Sequence, residues 1–246
     1  MKWFRDRCTF EVKILPTLTD LSALAICISL GFWQLRRAEF KQQIQDRYEE
    51  RIIQAPLTLS ELSVLSPNDL DFYPVRVRGQ FDNAHTILLD NKTYQGSQGY
   101  EVVTPFIPSE KAPVLLISRG WIPREAKREQ LPKIEPIYGT EILFGYAKMP
   151  ETKAFRLGDN IESDQPAWPL RIQQLDKLSM DEIAKRFGHP LYPFILLLGP
   201  EQPGELQRIW QPVVAGASKH HGYAVQWFLL AGVLGIFLVI VNARKK

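Results

Sequence analysis

Hydrophobic and polar positions divide this chain into three parts. Near the C-terminus, Tyr223 to Val241 carries no charge, and Gln226 is its one strongly polar residue. A run of about 19 residues, at 1.5 Å rise each, crosses roughly one hydrocarbon core. It closes on Arg244, Lys245 and Lys246, and opens on the pair His220-His221 and two aromatics of the interfacial kind, Tyr223 and Trp227. Near the N-terminus, Ile14 to Leu35 is a weaker span, interrupted by Pro16, Asp20 and hydroxyl residues. It ends in Trp33-Gln34-Leu35-Arg36-Arg37, which is no small-residue cleavage site, so the pattern favours a retained helix over a cleaved signal. Asp20 is expected near the water-facing end of that helix. The boundaries that follow are a basic segment over 1–13, a first transmembrane helix over 14–35, a soluble domain over 36–222, a second transmembrane helix over 223–241 and a basic tail over 242–246.

Between the spans the period changes. Arg36 to Gln54 is rich in helix formers and continues as a polar helix that Pro56 ends. Thr58 and Glu61 have capping-box spacing for a short helix through Leu65. From Tyr73 to Phe81, Val75 and Val77 alternate with Arg76 and Arg78, the pattern of a strand with one wet face. Asp82-Asn83 is a turn signal, and Thr86 to Leu89 reads as the hairpin partner. Gly96 to Gly99 reads as a loop. Further strands are predicted over Tyr100–Pro105, Val114–Ile117, Glu141–Ala147, Pro193–Leu198 and Leu206–Trp210, with Val114–Ile117 central because it is continuously apolar. Arg124 to Pro136 reads as a surface loop or short helix, and Lys153 to Pro166 as an aperiodic excursion. Ser179 and Glu182 have the spacing to open a helix through Phe187 that Gly188 stops. The predicted class is α+β: two transmembrane helices, one near each terminus, flanking a strand-rich, largely antiparallel, barrel-like soluble domain with a few helices.

Composition agrees. A hydrophobic share of 45% and a mean hydropathy of −0.16 require most of the chain to be water-soluble. The net charge is +3, and no basic stretch is interleaved with stacking aromatics, so nucleic acid is not an expected partner. Lys2, Arg5, Arg7, Lys13 and Arg244 to Lys246 outweigh Arg36, Arg37, Lys41, Arg47 and Lys219 at the opposite span ends. That balance puts both termini in the cytoplasm and the middle domain outside it. Cys8 and Cys27 are too far apart along helical chain for a disulfide.

The soluble region carries no Gly-rich phosphate loop, no His-Glu-x-x-His, no paired-cysteine site and no Gly-x-Ser-x-Gly, and no enzymatic activity is expected of it. His85 and His189 read as surface residues. In Arg119-Gly120-Trp121, Gly120 reads as the position that lets Trp121 pack across the core, and Asp90-Asn91 as turn chemistry. His220, Tyr223 and Trp227 stand at i, i+3 and i+7 on one helix face, and Ala224 leaves room beside His220. The histidine pair reads either as interface residues or as the source of an axial haem ligand. A haem there would have Arg36, Arg37 and Lys219 for its propionates and Val225, Leu229 or Val233 for a lipid-like tail.

Several motifs in one order carry a resemblance. Gly31-Phe-Trp-Gln-Leu-Arg-Arg37 with Lys41, Tyr73-Pro-Val with Gly79, Leu89-Asp-Asn91, Gly99-Tyr, Thr104-Pro-Phe106, Arg119-Gly-Trp-Ile-Pro123 and His220 to Ala231 together resemble the Surfeit-locus family of cytochrome c oxidase assembly proteins. The resemblance implies an inner-membrane protein with its domain in the periplasm or the intermembrane space; the short N-terminus shows no Ser-rich, acid-poor transit segment, which favours a bacterial protein over a mitochondrial one. It implies a non-enzymatic role in supplying haem a to the catalytic subunit of the oxidase, beside the haem a synthase and in contact with membrane lipid. By resemblance His220 is the iron ligand, with His221 a neighbour able to assist. Tyr223, Trp227, Arg36 and Arg37 complete the expected cofactor site. The alternative is a scaffold that holds the catalytic subunit and never touches haem.

Overall fold

The computed structural model describes residues 8–10, 12–66, 69–109, 112–127, 130–150, 168–202, 206–210 and 217–245, with side chains from 12 to 243. The excursion expected over 153–166, the Pro203-Gly204 turn and the side chains of Lys2, Arg5, Arg7 and Arg244 to Lys246 lie outside the described residues. The chain forms two units: 1–46 with 212–246, and 47–211.

The first unit is built on α1 (Ile14–Ile52) and α4 (Ala217–Asn242). The helix expected to continue past the first span does so, and α1 runs unbroken to Ile52 before Pro56. Both helices are long and apolar enough to cross a membrane. Val225, Leu229, Val233, Ile236 and Ile240 are all more than half exposed, as residues facing lipid are.

The buried positions of α1 are Asp20, Cys27, Gly31 and Ala38, spaced seven, four and seven. Those of α4 are Ala224, Ala231 and Asn242, spaced seven and eleven. Both follow the seven-residue repeat of a helix–helix seam, and its small residues are those that let backbones approach in lipid. A side chain on Gly31 would run into the Phe228 ring, which also meets Phe32 edge-on at 5.4 Å. At the far end Asn242 Oδ1 accepts from Lys13 N at 3.0 Å and Thr17 Oγ1 at 3.1 Å.

Two expectations change here. Asp20 does not reach water; it is buried on the seam, and its Oδ2 has no hydrogen-bond partner. The flanking segments are not simple tails, because β1 (Cys8–Phe10) pairs antiparallel with β9 (Ala243–Lys245). Cys27 is a free thiol, as expected of an unpaired cysteine in a span.

The second unit is a closed five-stranded barrel. Its strands are β2 (Pro74–Phe81), β4 (Ser97–Pro108), β5 (Val114–Pro123), β6 (Glu141–Lys148) and β8 (Leu191–Leu198). They run in the order β2-β6-β8-β5-β4, and β2 closes onto β4. Outside the barrel, β3 (Ile87–Tyr94) extends the sheet along β4, and β7 (Leu170–Ile172) pairs parallel with β3. The β5–β8 pair is parallel too, so the sheet is mixed with an antiparallel majority.

Alternation on β5 separates two cores. Leu115 and Ile117 point into the barrel with Phe106, Leu143 and Leu196. Leu116 points outward against Met180 and Ile183 of α3 (Lys177–Phe187). β5 is buried along almost its whole length, as its continuous apolar run predicts.

The expected β2–β3 hairpin does not form. A 3-10 turn at Asn83–His85 redirects the chain, and β2 and β3 lie end to end along one edge of β4. β4 is 12 residues long, enough to hold both. The predicted loop at Gly96–Gly99 shortens to a turn at Gln95-Gly96, with Gly99 already in β4. Arg124–Pro136 is loop, without the alternative helix, among its described residues. Leu206–Trp210 is not a strand and contributes one bridge, Gln207 to Trp121.

The Thr58–Glu61 capping box is present on α2 (Leu59–Leu62), a helix that stops short of Leu65. α3 starts earlier than its Ser179–Glu182 spacing suggests. Its cap is Asp176, and Ser179 is the third helical residue that answers it. Gly188 ends the helix in the left-handed region, as expected.

Candidate functional site

The first residue of interest stands on the first turn of α4. His220 is half-buried, and its Nδ1 lies 2.6 Å from Gln34 Oε1 on α1. The seam explains the pairing. Gly31 lets the helices approach, Gln34 is one turn further along α1, His220 is two turns back along α4, and the long amide closes the gap.

A carbonyl oxygen only accepts, so Nδ1 carries the proton and donates it. In the neutral ring the lone pair is then on Nε2, and no described residue hydrogen-bonds that nitrogen. A neutral imidazole whose second nitrogen is anchored to an oxygen is the arrangement metal-binding histidines show. The residues present therefore fit a haem iron at Nε2.

Arg36 and Arg37 are exposed within one turn of Gln34, and Arg37 lies 5.7 Å over the Phe40 ring. Lys219 is exposed beside His220. Tyr223 is half exposed and Trp227 is partly buried. Each residue advances a helix by 100°, so Ala224, Trp227 and Ala231 fall below His220. Val225, Leu229 and Val233 lie about 140°, 180° and 220° round from His220, and of the three only Val225 falls near the line of His221, which is exposed. The apolar row expected to serve a ligand on His220 thus belongs to the opposite face of the helix. Gln34 was not among the expected site residues. Its signal was a single amide in an apolar span, opposite the one half-buried histidine of the other span.

In the barrel, Trp121 packs as expected. It is buried, meets Tyr94 at 5.4 Å and donates Nε1–H to Lys92 O at 3.1 Å. Gly120 holds φ 125°, and a Cβ there would press on the Gln207 carbonyl. Arg119 is buried to 2% exposure. Its Nη2 donates to the Glu135 carbonyl at 2.6 Å, its guanidinium lies 5.5 Å over the Phe81 ring, and Nε finds no acceptor. Burial first, and the charge of Arg208 second, push its pKa down to about 10. Asp90 and Asn91 form a local bulge in β3, with Asp90 Oδ1 accepting from Asn91 N at 2.7 Å.

His85 is less open than a surface reading implies. Its Nδ1 is 2.7 Å from Asp82 Oδ2, and its ring sits edge-on to Trp168 at 4.8 Å and Phe187 at 5.0 Å. His189 is exposed. Among the described residues no three His, Cys, Asp or Glu side chains converge as a metal site.

Two membrane-length helices, one before and one after a closed barrel, define a twice-anchored membrane protein with a single extramembrane domain. The SURF1 family profile matches residues 21–232, and the chain belongs to that family. It is similar to SURF1-like protein of Rickettsia bellii, 27% identical over 237 residues that cover 93% of this chain and 90% of that one. Surfeit locus protein 1 of Rattus norvegicus is 25% identical over 178 residues, 67% of this chain and 55% of the rat protein. For the Homo sapiens protein of the same name the identity is 26% over 139 residues, 50% and 46% of the two chains. The chain thus spans about half the length of the vertebrate relatives it matches.

Proposed function

We infer that this protein is a non-enzymatic assembly factor for haem-copper cytochrome c oxidase, and that it holds haem a through His220 Nε2 while the cofactor passes to the catalytic subunit. The observation that carries the reading is the head of α4 in a SURF1-family chain. There an imidazole stands just ahead of the charge-free run Tyr223–Val241, and in the neutral ring its Nε2 lone pair is uncommitted. Bound haem a would supply an iron for Nε2 and two propionates for the cations Arg36, Arg37 and Lys219. Tyr223 and Trp227 would border the macrocycle. His221, exposed and one residue on, is a reserve ligand.

The same reading puts the protein in a bacterial inner membrane. The barrel is in the periplasm and both termini are in the cytoplasm, following the distribution of Lys and Arg near the span ends. The haem a synthase and the oxidase catalytic subunit are its partners there.

The test is haem recovery. The full chain is purified in detergent from cells that make haem a, as wild type, His220→Ala and the double variant His220→Ala/His221→Ala. Wild type should show a Soret band that the single variant reduces and the double variant loses. Full occupancy in the double variant removes the ligand assignment. A wild type without haem that still co-purifies with the catalytic subunit leaves a scaffold.

A further inference from the structure

The hydrogen bond between the two membrane helices joins residues with different chemistry. Gln34 comes from α1 and His220 from α4, 186 positions apart, and the 2.6 Å distance is short for a neutral pair. Gln34 is half-buried in the seam between Gly31 and Ala38, so its amide is not a solvated surface group. The bond decides which imidazole nitrogen is basic. A free histidine side chain favours the tautomer with the proton on Nε2, which would deny that nitrogen to a metal. Accepting a hydrogen bond from Nδ1–H reverses the preference and leaves the lone pair of the neutral ring on Nε2.

We propose that Gln34 is the positioning residue of the haem site: its Oε1 fixes His220 in the Nδ1–H tautomer, and so selects Nε2 as the iron-binding nitrogen. This rests on the reading of His220 as the haem ligand. Gln34 itself touches neither iron nor macrocycle. It holds the ring against rotation and raises the donor strength of Nε2, as carbonyl and carboxylate partners of metal-binding histidines do. The bond also couples the site to helix packing. The oxygen reaches His220 only while Gly31 admits Phe228, so separating α1 from α4 frees the ring.

The test has two arms on the full chain in detergent, with wild type, Gln34→Leu and Gln34→Glu. In the first arm the protein is haem-free and labelled with ¹⁵N-histidine, and ring-nitrogen shifts report the tautomer of His220, assigned by its loss in His220→Ala. Wild type and Gln34→Glu should show a protonated Nδ1 and a bare Nε2; Gln34→Leu should revert to the Nε2–H form. An unchanged tautomer in Gln34→Leu overturns the proposal. In the second arm haem a is titrated into each protein. Gln34→Leu should bind roughly 10–100-fold more weakly, the range for loss of such a partner. Gln34→Glu, whose carboxylate still accepts, should restore binding and lower the reduction potential of the iron by enriching its ligand. Equal affinity and potential in all three proteins overturn the proposal even where the tautomer has moved. Failure of wild type itself to bind haem overturns the ligand reading instead, and is recognised because the first arm still shows the fixed tautomer.

Discussion

Replacing Arg119 by Met should make the barrel more stable at neutral pH. Arg119 is 2% exposed, and no ion pair to a carboxylate joins its guanidinium among the described residues. It keeps one bond to the Glu135 carbonyl and a face of Phe81. A charged hydrogen bond contributes about 1.5–3 kcal/mol, and a desolvated cation–π contact about 2 kcal/mol. Against them stand a desolvation cost of several kcal/mol for a buried ion and about 1–3 kcal/mol for the unpartnered Nε, with the Arg208 charge added. Met keeps the apolar stem, and the released Glu135 carbonyl belongs to an exposed residue that water reaches. The balance favours Arg119→Met by about 1–3 kcal/mol, roughly 3–10 °C for a unit of this size.

The size of the gain depends on pH. Burial pushes the Arg119 pKa down to about 10, below its value in the unfolded chain. Above about pH 10 the folded state releases a proton that the unfolded state keeps, so wild-type stability rises with pH there relative to the variant. The assay is thermal unfolding of both full chains in detergent, followed by near-ultraviolet circular dichroism at pH 7.5 and pH 10.5. The variant should melt higher at pH 7.5, with a smaller gap at pH 10.5. A variant that melts lower at pH 7.5, with a gap that pH leaves unchanged, refutes the reasoning. It would mean that the Glu135 and Phe81 contacts outweigh desolvation.

Two further outcomes test the elements around the site. Gly31→Leu puts a side chain where Phe228 lies 2.6 Å from the Cβ position, and should cost about 1–3 kcal/mol by overpacking; cross-linking between cysteines introduced on the lipid-facing sides of α1 and α4 should fall with it. Asp176→Ala removes the α3 cap that accepts from Ser179 N at 2.9 Å, and should cost about 1 kcal/mol, read as faster amide exchange confined to the first turn of α3.

The sequence carried the class of the fold further than its connections. Val75 and Val77 alternate with Arg76 and Arg78, and the strand is there in that phase. The apolar run from Val114 is the central strand it looks like. What alternation cannot carry is which edge a strand takes. Asp82-Asn83 does turn the chain, but it turns β3 onto the same edge of β4 that β2 already occupies, and only the length of β4 permits that. A similar limit explains Leu206–Trp210, which is apolar enough for a strand and yet makes a single bridge. It also explains β1 and β9, two three-residue strands that exist only because each finds the other.

The site was legible as residues and hidden as a partnership. Gln34 and Gln226 look alike in the sequence, each a lone amide in an apolar span. Their fates differ by angle. Gln34 lies between Gly31 and Ala38 on the seam, three positions from one and four from the other, and meets His220. Gln226 lies two positions past Ala224, about 200° round the helix, and is exposed. Asp20 follows the same rule: its place seven residues before Cys27 buries it, whatever its charge suggests about water. The small residues recurring at seven-residue spacing on both helices are therefore the informative signal. They state which polar groups face the other helix, and a polar group that faces it must either find a partner, as Gln34 does, or remain without one, as Asp20 Oδ2 does.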